Sequence, residues 1–169
     1  MERMRSHLPR GVVPITPGPG QESVWDYPRP PRLEASAKHV VVRSGDLVVA
    51  DTTSAYRVME TSHPPTWYLP ASSVSPGLLT RSRHPSTTCE WKGAATYWTI
   101  DGHDGDAWSF EQPTPPFRAI TGYLAFMASV FTCEVDGEVV RPQPGGFYGG
   151  WITDDIIGPF KGIPGSFGW

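Results

Sequence analysis

The sequence predicts a single mainly β domain, and two observations carry that reading. Glycine and proline make up about a fifth of the 169 residues (18 Gly, 19 Pro). That load disfavours long helices, because proline removes a backbone donor and glycine costs backbone entropy. Seven Trp, six Tyr and seven Phe nevertheless require burial, so the chain is too aromatic for a disordered composition. The length allows one core and leaves little for a second.

Residues 1–22 carry Pro9, Pro14, Pro17 and Pro19 without periodicity and read as a surface-laid or flexible arm. Trp25 and Tyr27 supply aromatics to pin it. The body, residues 23–142, begins with two β-branched runs, His39 to Arg43 and Leu47 to Ala50. They are joined across Ser44-Gly45-Asp46, which predicts a hairpin. Ala55 to Glu60 reads as a third strand, with Tyr56, Val58 and Glu60 on one face and Arg57 and Met59 on the other. Thr66 to Leu69 is a short extended stretch closed by Pro70, and 71–79 has room for one helical turn. Thr87 to Lys92 and Ala95 to Ile100 read as central strands separated by Gly93. Asp101 to Asp106 reads as a polar loop leading to Ala107 to Phe110. Thr114 to Ile120 fits a short helix with Pro115 and Pro116 in its first turn. Tyr123 to Phe126 and Phe131 to Val135 follow as strands, and Asp136-Gly137 signals a tight hairpin into Glu138 to Val140. Residues 143–169 turn to glycine alternating with aromatics, a tail expected to pack on its own body or on a partner subunit, since exposing those rings invites association.

A net charge of −3 gives no basic footprint for nucleic acid. No apolar run is long enough to span a bilayer, and the N-terminal residues lack the apolar segment of a secretory signal. Cys89 and Cys133 are therefore expected to be reduced, in a cytoplasmic protein, although spacing alone leaves a disulfide between them open. The histidines at 7, 39, 63, 84 and 103 are scattered and there is no Cys-x-x-Cys, so neither a metal nor another cofactor is expected. Asp101, Asp104 and Asp106 lack the later glutamate of a calcium loop and read as a solvated turn. No Walker loop, dinucleotide fingerprint or nucleophile-elbow serine is present.

The chemistry-bearing candidates surround Cys89-Glu90-Trp91-Lys92-Gly93. Cys89 is a nucleophile or redox thiol if Lys92 lowers its pKa, but three residues apart on a strand they point to opposite faces. Buried, Cys89 is simply a small hydrophobe. Glu60 and His63 flank a proline-kinked turn and can form an acid–base pair. Glu90 and Lys92, two apart on one strand face, can present a carboxylate and an ammonium to one ligand, or form a surface ion pair of little consequence. Charged residues interleaved with Trp91, Tyr97 and Trp108 are what an aromatic small-molecule pocket requires.

Several elements taken in order resemble one bacterial family. Glu60, Tyr68-Leu69-Pro70, Thr88 to Gly93, Ala107 to Phe110 and Gly122 to Phe126 are similar to domain of unknown function 427, over about residues 38–140. The segments around Trp25 to Pro30 and beyond Pro142 resemble its longer, actinobacterial-type members. The resemblance implies a compact β-tent-like fold, similar in topology to methionine sulfoxide reductase B, with one or two short helices. It carries over no structural zinc, because the paired Cys-x-x-Cys knuckles of tent relatives are missing. The family sometimes bears a nucleotidyltransferase-like label, whose glycine-serine and paired-aspartate pattern is not evident here. Three functions stay open: a small-molecule or enzymatic pocket, an assembly module that homodimerises through the tail, and a thiol redox protein using Cys89. For the pocket, Glu60, His63, Lys92 and Cys89 are the catalytic candidates, and Tyr68, Glu90, Trp91, Tyr97, Trp108 and Tyr123 the ligand-binding ones.

Overall fold

The computed structural model describes residues 8–169, so the first seven residues of the expected arm lie outside the described part. The fold is mainly β. Helical structure among the described residues is confined to 3-10 segments at Val24–Asp26, Ala71–Ser73 and Pro115–Ile120. No helix among them is long and apolar enough to cross a membrane.

Three open antiparallel sheets build the body. The first runs Glu138–Val139, Thr132–Val135, Val40–Ser44 and Leu47–Thr52. The second runs Leu124–Phe126, His103–Ser109, Thr96–Ile100 and Thr80–Arg81. The third comprises Arg32–Ser36, Ala55–Met59 and Thr66–Tyr68. Leu69 and Leu124 exchange both backbone hydrogen bonds, at 2.8 and 2.7 Å, and so join the third sheet to the edge of the second.

Alternation along these joined sheets separates two cores. Trp67, Leu124, Phe126 and Ala107 face a cluster shared with Val40, Val42, Val49 and Phe131 of the first sheet. Their neighbours Tyr68, Ala125 and Trp108 face the other way, onto Phe110, Phe117 and Ile120. The candidate site lies on this second face.

Two local departures from expectation lie in turns. The expected central strand from Thr87 to Lys92 is only Thr88–Cys89, which turns through Glu90, Trp91 and Lys92 into Gly93–Ala94. Gly93 sits at φ +104°, and a Cβ there would lie 3.3 Å from the Gln112 carbonyl oxygen. The turn is pinned from outside: the Thr114 hydroxyl donates to the Trp91 carbonyl at 2.5 Å, and the Thr114 N–H to that of Lys92 at 3.1 Å. Gly93→Ala is therefore expected to cost about 1–2 kcal/mol from the left-handed backbone alone, read as a lowered denaturant midpoint. The expected polar loop from Asp101 to Asp106 is instead a two-residue turn, Asp101-Gly102, with φ of +49° and +78°, and the strand resumes at His103. Two positive φ values match the twist of the flanking strands, so an Asp-Gly pair suffices.

Arg32–Ser36, preceded by Pro28, Pro30 and Pro31, is a strand that sequence reasoning missed. Arg57, across from it, donates to Glu34 at 2.6 Å and to Glu22 at 2.6 Å, tying the strand and the end of the arm to the sheet. Beyond residue 142 the chain lies on its own body. Glu22–Ser23 pairs in parallel with Ile156–Ile157, the Trp25 indole donates to the Pro159 carbonyl at 2.9 Å, and the Trp151 N–H donates to the Pro65 carbonyl at 2.8 Å.

Candidate functional site

A cavity of about 520 Å³ opens on the Tyr68 face of the joined sheets. Glu60 and His63 come from the turn between the last two strands of the third sheet, and Tyr68 from the last of them. Cys89, Glu90, Trp91 and Lys92 come from the pinned turn and the strand leading into it. Tyr97 and Trp108 come from the second sheet, while Gln143, Phe147, Tyr148 and Lys161 arrive from the C-terminal segment. All the sequence candidates line this cavity except Tyr123, which packs edge-on against Tyr56 at 5.7 Å, outside it.

The turn changes the relation of Cys89 to Lys92. On a continuous strand they point apart, but Cys89 is paired with Gly93 across a three-residue reversal, which folds Lys92 back beside the thiol. Glu90 and Lys92 likewise do not share a strand face: Glu90 is exposed at the tip, and Lys92 is half-buried in the wall. Burial works against the Lys92 ammonium, but the facing Tyr68, Cys89 and Glu60 outweigh it and hold its pKa above the ordinary lysine value. Its Nζ also stands 5.7 Å from the Phe110 ring centroid, a weak cation–π contact. Burial pushes the Tyr68 phenol up, while the Lys92 ammonium and the Trp108 side chain pull it down less strongly. Tyr68 therefore stays a hydroxyl, an available donor beside an ammonium.

Glu60 and His63 meet as the sequence suggested. The Glu60 carboxylate lies 3.4 Å from His63 Nε2 and 3.5 Å from the Arg29 guanidinium. Gln143 fixes the ring. Its Oε1 accepts from the Gly150 N–H at 3.1 Å, and its Nε2 donates to the Lys161 carbonyl at 2.9 Å. That leaves Nε2 to donate to His63 Nδ1 at 3.0 Å, so the neutral ring carries its hydrogen on the nitrogen facing Glu60.

Burial raises the Glu60 pKa, but the His63 hydrogen bond and the charges of His63, Arg29 and Lys92 prevail, so it falls below its ordinary 4.5. A depressed carboxylate stabilises the fold above its unfolded pKa, and that contribution is lost as pH falls through the folded value. Stability is thus expected to drop below about pH 4.5, and Glu60→Gln to flatten that part of the profile, measured by urea midpoints from pH 3 to pH 7.

The C-terminal segment closes one side. A Cβ on Gly149 would stand 2.3 Å from Trp108 Cη2, so only glycine lets the backbone approach the indole this closely. Tyr148 meets His63 edge-on at 5.2 Å, and Lys161 Nζ lies 5.6 Å from the Tyr148 ring. Sequence reasoning missed Gln143, Tyr148 and Lys161 as site residues. The glycine pair at 149 and 150 was the one local sign of a close backbone approach. Cys89 and Cys133 are free thiols, the first against the cavity-side cluster and the second buried in the other, where burial raises its pKa.

Fold and cavity together define a small mainly β domain with a mixed polar and aromatic pocket. The family model for Domain of unknown function (DUF427) matches residues 32–141, and the chain belongs to that family. No curated protein matches the chain. The family match stops short of Gln143, so one wall of the cavity is built from residues beyond it.

Proposed function

We propose that the cavity binds a small organic molecule and that Lys92 is its anchor. One observation carries this reading: an ammonium is held in the wall of an aromatic cavity beside a protonated Tyr68 hydroxyl. Among the described residues no carboxylate is at ion-pairing distance from it. An unpaired cation of this kind is costly to leave half-buried and is repaid by a ligand acceptor. The volume falls in the usual range for small-molecule sites, about 300–1,000 Å³. If the bound molecule reacts, the ammonium and the Tyr68 hydroxyl are positioned to stabilise negative charge developing on an oxygen, with His63 and Glu60 as the acid–base pair. An ammonium held charged is a poor amine nucleophile, so a Schiff base at Lys92 is disfavoured.

The test is a fragment screen read by amide and indole NMR. Binders are expected to converge on the turn at residues 90–92 and on the indole N–H signals of Trp91 and Trp108. Binders that perturb only other surfaces would contradict the proposal. Assembly through the tail has narrower support: Phe147 and Phe167 are 82% and 91% exposed while most of the segment's other rings pack inward. Light scattering of Phe147→Ser and Phe167→Ser proteins tests it, since a dimer formed through these rings would lose mass. Thiol redox has less support, because Cys133 lies across the sheet from Cys89 and is not placed to resolve an oxidised thiol.

A further inference from the structure

Resting on that small-molecule reading, we infer that the ligand class is a small planar organic anion, of which an aromatic carboxylate is the simplest case. Its charged end lies on Lys92 and Tyr68, and its ring among Trp91, Tyr97 and Trp108.

Charge accounting at the cavity points this way. The charged side chains lining it are Glu60, Glu90, Lys92 and Lys161. Glu60 is engaged by Arg29 at 3.5 Å and His63 at 3.4 Å, both nearer to it than Lys92, with which it exchanges only a longer-range attraction. Glu90 is exposed at the turn tip, where water and salt screen it. Lys161 donates to the Trp169 carbonyl oxygen at 3.0 Å and adds positive potential from the C-terminal side. Lys92 remains as the half-buried cation, with the Tyr68 hydroxyl beside it and, among the described residues, no carboxylate at ion-pairing distance.

The donor count agrees. An ammonium has three N–H donors and no acceptor, and the Tyr68 hydroxyl adds another donor beside it. Convergent donors call for an acceptor with several lone pairs, and a carboxylate supplies them with charge-assisted bonds about twice as strong as neutral ones. The remaining wall selects shape. Trp91, Tyr97 and Trp108 are half-buried with faces left for the cavity, and Tyr97 is fixed by its hydroxyl bond to Thr87 at 2.6 Å. Preset aromatic surfaces favour a flat apolar body over a bare inorganic ion.

The experiment uses the full chain with benzoate, benzamide and inorganic phosphate as probes. Protection of Cys89 from iodoacetamide is measured by intact mass, because the thiol lies in the same cavity wall. Benzoate is expected to protect, benzamide to need at least about tenfold more ligand, and phosphate not to protect at comparable concentration. Lys92→Met is expected to erase the preference for benzoate and Lys92→Arg to keep it, with both variants checked for an unchanged unfolding midpoint. Equal protection by benzamide and benzoate, or a preference that survives in Lys92→Met, overturns the anion inference and leaves the cavity reading standing. Protection by neither aromatic, together with a fragment screen that never touches Trp91 or Trp108, overturns both.

Discussion

Trp151→Ala is expected to destabilise the protein by about 3–5 kcal/mol, the cost of removing a large buried aromatic without full collapse of the space. The side chain is 1% exposed and stacks on Trp67 with ring centroids 6.2 Å apart. Its indole N–H donates to the Phe126 carbonyl at 3.0 Å, and truncation leaves that buried oxygen short of a partner. Trp151 lies outside residues 32–141, so the loss measures how far the C-terminal segment belongs to the same core as the family region. Urea unfolding reads the effect directly, and Trp151→Phe should recover most of it. A change below about 1 kcal/mol would mean that the segment merely rests on the body.

Gly150→Ala is the second large effect. A Cβ at this position would lie 2.5 Å from the Pro64 carbonyl oxygen and 2.6 Å from Gln143 Oε1, and neither the backbone nor the anchored amide has room to yield. Relieving the overlap moves the segment away from Pro64 and breaks the bond from the Gly150 N–H to Gln143. Overpacking of this kind costs about 1–3 kcal/mol. The more telling consequence is at the cavity: with Gln143 displaced, His63 loses the donor that assigns its ring hydrogen, and Tyr148 loses its seat. Cys89 is therefore expected to alkylate faster in Gly150→Ala than in the parent. Gly168→Ala serves as control, since nothing lies within 4 Å of a Cβ there. Equal alkylation rates in all three proteins would show that the segment does not enclose the cavity.

The parts legible in the sequence were those written locally. The Val40–Ser44 and Leu47–Thr52 hairpin and the Asp136-Gly137 turn follow from alternation and turn residues a few positions apart. The turn at Glu90, Trp91 and Lys92 was not legible, because Thr87, Thr88 and Trp91 favour strands and the restraint that bends them comes from Thr114, 23 residues from Trp91. That single misreading separated Cys89 from Lys92, whereas the fold places them side by side. The pairing of Glu60 with His63 was visible because one short turn joins them. Gln143 and Lys161 were not, because their approach depends on the route of a segment that carries no periodicity. The cavity is thus half local motif and half tertiary closure.

The reading of Lys92 as the ligand anchor is tested most directly by a crystal structure of the protein soaked with benzoate. The expected result is density in the cavity between Trp91, Tyr97 and Trp108, with a carboxylate oxygen within hydrogen-bond distance of Lys92 Nζ and the Tyr68 hydroxyl. Density for benzoate elsewhere, with the Lys92 side chain turned out to solvent, would contradict it.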